Sequence, residues 1–287
     1  MKNLPAPPYD DIQAIDALSN NKRIKNGNLI RDAKKNLIEN YRQYIRAEGN
    51  AFLISPVKLN SDLNERLEKL YSSPNIDVSF IDSMRSSSSY KGCPMCGSLA
   101  AGTLDHFFSQ DSYPEFIIFS KNLVPACKCN SARQEKLKGR CRQRILHPYF
   151  DQCLSERLLS CSFSQHGIAP SVSVKLAIDN SHTYITEIEF HFETIVANTE
   201  IEDYLQSRWT KMITKPELVV RALENTPTSL PDLVKNLEKE LGFLDDYHES
   251  KNNWESIFLS GLLEAQTSAW LYGRLTRVGR QPGSPLA

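Results

Sequence analysis

The chain has 287 residues, 40% of them hydrophobic and 24% charged, with 12 Gly and 15 Pro. That composition is globular and excludes a collagen-like or disordered chain, and the length suffices for one large domain or two small ones. Thirty-four basic residues balance 34 acidic ones, so no global charge draws the chain to nucleic acid and any such role must rest on a local patch.

The first ten residues, with Pro5, Pro7 and Pro8, read as an irregular arm. Lys2 runs into these prolines with no apolar core behind it, which argues against a secretory signal and for a cytoplasmic protein. No apolar stretch approaches the roughly 20 residues of a membrane-spanning helix, so no membrane partner is expected. From Asp11 to Leu70 the pattern is helical: Leu37, Ile38, Tyr41, Tyr44 and Ile45 recur at spacings of three and four. A further helix is expected to start at Asp62, with Glu65 completing a capping box and Leu63, Leu67 and Leu70 as its buried stripe. The serine run 86–89 marks a loop or boundary.

Beyond the cysteine-rich stretch that follows, two segments look like strands with one buried face. Val172, Val174 and Leu176 alternate with Ser and Lys; Ile188, Phe190 and Phe192 alternate with Glu and His. Helices are expected over Ile201–Met212, over Pro231–Leu241 with Gly242 as the stop, and over Trp254–Leu271. The tail from Gly279 should fray. The expected fold class is α+β, with a metal-bearing module over 86–151 set between an N-terminal helical region over 1–85 and a C-terminal α+β region over 152–287.

Seven cysteines, odd in number and unevenly spaced, suit metal ligation or buried thiols better than disulfides. Cys93 and Cys96 form a C-x2-C knuckle, with Pro94 and Gly97 suited to its tight turn; Cys127 and Cys129 follow some 30 residues on. Two pairs of thiolates are what a closed tetrahedral Zn2+ site needs; the plainer reading is that some are only buried thiols. Asp105-His106 follows an apolar run between the two pairs. Alone it is an unremarkable polar pair, but between cysteine pairs it becomes a carboxylate to grip a cation beside an imidazole to move a proton. From Lys121 to Arg144 eight basic residues face only Glu135, a local charge of +7 against −7 in the rest. Lys128, Arg133, Lys136, Lys138 and Arg140 in this run are candidate phosphate contacts on a helix beside the metal site, against the plainer reading of a solvated helix face.

Taken together, Cys93-Pro-Met-Cys96-Gly97, Leu104-Asp105-His106-Phe107, Tyr113-Pro-Glu-Phe116, Asn122-Leu-Val-Pro-Ala-Cys127-Lys-Cys129-Asn130 and the trailing Leu146-His147-Pro148-Tyr149-Phe150-Asp151 resemble an HNH endonuclease of the ββα-metal superfamily. The resemblance covers about 60 residues, from Cys93 to Asp151. It implies that Asp105 and Asn130 hold one catalytic Mg2+ or Mn2+, that His106 is the general base, that Asn122 holds the connecting loop so that His106 is aimed, and that Arg133 contacts phosphate. It also implies DNA rather than RNA as substrate, a 5′-phosphate and a 3′-hydroxyl as product ends, and a place in anti-phage defence or mobile-element loci, in some cases with an ATPase or another defence subunit as partner.

Two departures stand out. The second knuckle is C-x-C where the family has C-x2-C, so Asn122 and Asn130 lie one residue closer, and Cys141 or His147 is a substitute ligand if one thiol leaves the site. Ser109 and Gln110 stand where Pro and Lys are common. Other residues read blandly: His191 as solvated on a strand, Cys153 and Cys161 as partly buried thiols, His147 as a packing corner, and Trp209, Trp254 and Trp270 as core. The competing hypothesis is a catalytically inactive, zinc-stabilised module that binds nucleic acid or a partner; retention of Asp105, His106 and Asn130 together favours the enzyme.

Overall fold

A computed structural model describes residues 1–23, 27–86 and 92–286. Apart from Ser86, the serine run expected to mark a boundary lies outside the described residues. Helix α1 (Asp11–Asn20) starts where the Asp10 carboxylate accepts hydrogen bonds from the Ile12 and Gln13 amides, at 3.1 and 2.9 Å, satisfying two of the donors that a helix start leaves free. Helix α2 (Gly27–Arg46) turns Ile30, Leu37, Tyr41 and Tyr44 inward, while Ile45 stays exposed. Helix α3 (Ser61–Ser72) buries the expected Leu63, Leu67 and Leu70, but its cap is Asn60, which accepts from the Asp62 amide at 2.8 Å; the helix therefore begins one residue before the expected Asp62. Helix α4 (Phe80–Ser86) follows.

Strands β1 (Thr103–His106) and β2 (Leu123–Ala126) pair antiparallel, with Leu104 opposite Pro125 and His106 opposite Leu123. Helix α5 (Lys128–Ala132) follows β2 after one residue. The basic run does not continue as a helix: the chain leaves α5 after Ala132, Gln134 and Arg142 take left-handed backbone angles, and Lys138 pairs with Arg144 as an isolated bridge. The charges therefore sit on turns, not on one helix face.

In the C-terminal half, β4 (Ser171–Leu176) is the expected strand, paired with β3 (Leu159–Ser164), which the sequence did not announce. The second expected strand is instead helix α6 (Ile185–His191), continued by a wider turn over Phe192–Val196. Its buried residues are Glu187, Ile188, Phe190, His191, Thr194, Ile195 and Val196, a repeat of three and four that Ile188, Phe190 and Phe192 alone do not separate from alternation. Helices α7 (Ile201–Thr214) and α8 (Pro216–Val219) precede α9 (Leu230–His248), which runs through Gly242 and ends at Glu249 in a left-handed cap. The last expected helix is two, α10 (Trp254–Leu262) and α11 (Ala265–Leu275). The described ends of the chain are both tied down: the Lys2 and Leu4 amides donate to Pro94 O and Pro148 O, and the Leu286 amide donates to Ile213 O.

Two hydrophobic clusters organise the molecule. One joins α1–α4 to the β1–β2–α5 unit, from Leu4 to Tyr149, with Phe190 and Ile195 added from α6 and its continuation. The other gathers β3, β4 and helices α7–α11 around the buried Trp209. The N-terminal helices and the cysteine-bearing segment thus share one core. Trp254 and Trp270 are half-buried against the second cluster.

Candidate functional site

The four cysteines come together. Cys93 and Cys96 lie in a turn closed by Gly97 N–H to Cys93 O, 2.9 Å, and Cys93 N–H to Ser98 O, 2.8 Å. Gly97 has φ +80°, and a Cβ there would stand 2.0 Å from Asn252 O, so only glycine serves. Cys127 caps α5, its Sγ accepting from the Cys129 amide at 3.4 Å, and Cys129 sits in the first turn. The four Sγ atoms lie within 4.8 Å of one another, with Cys93–Cys129 at 3.6 Å and Cys96–Cys127 at 3.5 Å. A tetrahedron with 2.3 Å Zn–S bonds has edges of about 3.8 Å, so the cluster can hold a metal such as zinc. Hydrogen bonds from Cys129 and its neighbours push the Cys127 thiol far below its ordinary range, while Cys129 is pushed far above: packed thiols cannot all ionise without a cation among them. The C-x-C pair supplies both its thiols, so no substitute is needed. Cys141 is exposed on a turn, and His147 is buried against Tyr44.

Beside this cluster the hairpin and α5 bring Asp105, His106 and Asn130 to one cavity of about 260 Å3, which Tyr71, Ser109 and Arg133 also line. Asp105 Oδ1 accepts from the His106 amide at 2.8 Å and Oδ2 from Asn130 Nδ2 at 2.9 Å; Asn130 Nδ2 also donates to His106 O at 3.1 Å. His106 is buried, with Nε2 2.9 Å from Ile117 O. A carbonyl only accepts, so Nε2 carries the proton, and in the neutral ring Nδ1 is left as the base. Burial lowers the His106 pKa below its ordinary value, and the Ile117 bond only partly offsets that, so the ring is neutral near pH 7.

The loop carrying Ile117 is held from within. Asn122, fully buried, donates to Phe108 O at 3.0 Å and Phe116 O at 3.2 Å and accepts from the Phe108 amide at 2.8 Å. Behind it runs a relay. The Tyr149 amide donates to His147 Nδ1, so His147 Nε2–H donates to Tyr44 Oη at 2.9 Å, and Tyr44 O–H donates to Asn122 Oδ1 at 3.2 Å. Burial keeps His147 well below its ordinary pKa, hence neutral. Asn122 therefore occupies a loop-holding position, and His147 is the packing corner its sequence context suggested.

Other expectations change. Arg133 is not a free phosphate contact: it is buried, its Nε donates to Asn130 Oδ1 at 2.9 Å, and one terminal nitrogen donates to Phe107 O. Burial lowers its pKa to about 10. Its bond to Asn130 fixes that amide with NH2 towards Asp105 and oxygen towards Arg133. As a donor set for a hard divalent cation the pair therefore fits in part: Asp105 offers a carboxylate, whereas Asn130 offers its oxygen beside Asp105 only if the amide turns. Lys128, Lys136, Lys138 and Arg140 are exposed, Lys138 donating to Ala51 O at 2.8 Å. Arg142 pairs with Glu187, and Arg144 forms a two-pronged ion pair with Asp151.

His191 is neither on a strand nor solvated. It is buried on α6, its Nδ1 accepting from the Leu146 amide and its Nε2 donating to Met95 O at 2.7 Å, and burial lowers its pKa to about 4. Cys153 and Cys161 are fully buried thiols; burial pushes the first up to about 12. Tyr71 at the cavity and Arg85 stacked on it had no signal in the sequence, because only the fold carries α3 and α4 to the hairpin.

No protein family model matches this chain, and no solved structure matches it. A stretch of 95 residues, 30% of this chain, is 35% identical to protein ea31 of Escherichia phage lambda, and covers 32% of that protein. The chain thus matches about a third of the phage protein's length. Among the described residues no helix is long and apolar enough to cross a membrane.

Proposed function

We propose that the chain is a metal-dependent endonuclease of the HNH, ββα-metal type, hydrolysing DNA phosphodiester bonds. The observation that carries this reading is the His106 ring: buried, neutral, its Nε2–H pinned to Ile117 O, and sharing one cavity with Asp105 and Asn130 on a hairpin followed by a helix. His106 Nδ1 takes the proton of the attacking water, which a neutral imidazole can do near pH 7. Asp105, oriented by Asn130 and the His106 amide, would hold the Mg2+ or Mn2+, with Asn130 joining once its amide turns. Such a cation supplies electrostatic stabilisation of the charge that gathers on the phosphate. Cys93, Cys96, Cys127 and Cys129 would hold Zn2+, which would tie the knuckle turn to α5 and so fix where Asn130 stands. Lys128, Lys136, Lys138 and Arg140 contact the backbone of the DNA. A setting in anti-phage defence, with an ATPase or other subunit alongside, belongs to the same proposal and rests on the resemblance.

One observation favours the second reading, an inactive zinc-stabilised binding module: the Asn130 oxygen is already taken by Arg133. Plasmid cleavage separates the two. The nuclease nicks or linearises supercoiled DNA with Mg2+ or Mn2+, stops with chelator, and is silenced by Asp105→Ala. Cutting that ignores both chelator and Asp105→Ala would count against the site.

A further inference from the structure

The resemblance leaves the N-terminal helices without a role, yet Tyr71 lines the His106 cavity and Arg85 stacks on Tyr71. Tyr71, from α3, is half-buried; its hydroxyl donates to Leu104 O on β1 at 2.6 Å, and its ring lies 4.4 Å from the His106 ring, centre to centre. Arg85, at the end of α4, lies with its guanidinium carbon 4.5 Å from the centre of the same Tyr71 ring and donates to Tyr71 O at 2.5 Å. A second cavity, of about 400 Å3, opens on the other side of this contact, lined by Met84, Arg85, Gly102, Thr103, Leu104 and Pro125. Leu104 and Asp105 are neighbours on β1, so the two cavities flank a single ridge made by Tyr71, Leu104 and Arg85.

A strand whose scissile phosphate sits at His106 must continue past that cavity. Arg133 cannot meet it, being buried and committed. Arg85 can: among the described residues two of its nitrogens are used, one by Tyr71 O and one by Asp82 Oδ1 at 3.0 Å, and the Asp82 side chain is 60% exposed. A solvent-screened partner of that kind is held weakly, and a guanidinium has five N–H donors in a fork that matches phosphate oxygens. The aromatic ring beneath it restricts where the fork points.

We propose that Arg85 and Tyr71 form a phosphate-gripping ridge beside the His106 cavity, Arg85 binding a phosphate next to the scissile one and Tyr71 holding the guanidinium in place. The location rests on the nuclease reading; the contact itself does not require cleavage and is tested without it.

Binding of a labelled DNA duplex is measured by fluorescence anisotropy in the full-length His106→Ala background, between about 50 and 200 mM salt. Arg85→Gln should weaken binding roughly tenfold and flatten the plot of log affinity against log salt by about 0.9, the value for one lost phosphate contact. Arg85→Lys keeps the charge and should restore the slope with part of the affinity. Tyr71→Phe keeps the ring and should hold the slope, whereas Tyr71→Leu should lose affinity as Arg85→Gln does. Lys235→Gln, a charge removed from the exposed face of α9, is the control. An Arg85→Gln slope and affinity equal to the control's overturns the proposal, and if wild-type protein still cuts DNA the nuclease reading survives it. Arg85-dependent binding without cleavage by wild type leaves the ridge standing and overturns the nuclease reading. Absence of any DNA binding overturns both.

Discussion

Replacing Asn122 by Ala tests whether the loop that aims His106 is held from inside. The side chain is fully buried and makes four hydrogen bonds: to Phe108 O, to Phe116 O, from the Phe108 amide and from the Tyr44 hydroxyl. Alanine strands two backbone groups, the Phe108 amide and Phe108 O, because Phe116 O keeps the Phe119 amide at 3.2 Å and the Tyr44 hydroxyl has an alternative acceptor in Lys121 O at 3.4 Å. At about 1–2 kcal/mol for each stranded backbone group, less what an entering water recovers, the loss is about 2–3 kcal/mol. For a chain of this size that lowers the melting temperature by about 4–6 °C, and urea unfolding followed by tryptophan fluorescence would read it directly. Asn122→Asp adds a signed test. It keeps the acceptor for the Phe108 amide but sets a carboxylate against two carbonyls, so its folded-state pKa is raised. The unfolded carboxyl ionises first, near pH 4, and stability falls as pH rises from there towards the folded pKa. The aspartate variant should be less destabilised at pH 5 than at pH 8. A loss below about 1 kcal/mol for Asn122→Ala would refute the reasoning, since even one stranded buried group costs that much.

Other outcomes follow from single sites. His191 is neutral when folded, with its pKa at about 4, whereas the unfolded ring protonates near 6.5; the unfolded state binds more protons between those values, so stability should fall as pH drops through that window, and His191→Gln should flatten the slope. Gly261 on α10 faces β3, where a Cβ would meet Cys161 Sγ at 2.4 Å and Cys161 O at 2.7 Å; Gly261→Ala should cost about 1–3 kcal/mol in urea unfolding. Gly242 lies in the middle of α9 with nothing within 4 Å of an added Cβ, so Gly242→Ala should stabilise by about 0.5–1 kcal/mol. Protein purified under reducing conditions should carry one zinc per chain by elemental analysis; chelation or Cys96→Ser should lower its melting temperature, and metal-free protein with an unchanged melt would remove the cluster from the account.

The cysteine spacing was the most legible feature, because thiol pairs at knuckle distance have few uses, and all four sulphurs meet. The leucine stripe of α3 and the alternation of β4 were legible for the same reason: α3 buries one face, β4 half-buries one, and the period shows it. His191 was not. Its neighbours alternate over three apolar positions, too few to separate a strand from a helix, and the partners that bury it, Leu146 and Met95, lie far off in the chain. Arg133 was misjudged because a charge count registers a guanidinium but not the carbonyls around it. Gly242 failed as a stop because α9 gains its cap only at Glu249, whose backbone is left-handed. Tyr71 and Arg85 depend on long-range packing alone, which no local spacing encodes.

The central claim is that the His106 imidazole is the base of a DNA-cleaving site. Its most direct test is the single-turnover rate of DNA cleavage by zinc-loaded protein with Mg2+ or Mn2+, wild type against His106→Ala. The account predicts metal-dependent cutting by wild type and a rate about 100- to 10,000-fold lower in the variant, the usual span for removing a general base. Equal rates, or no cutting by wild type, would contradict it.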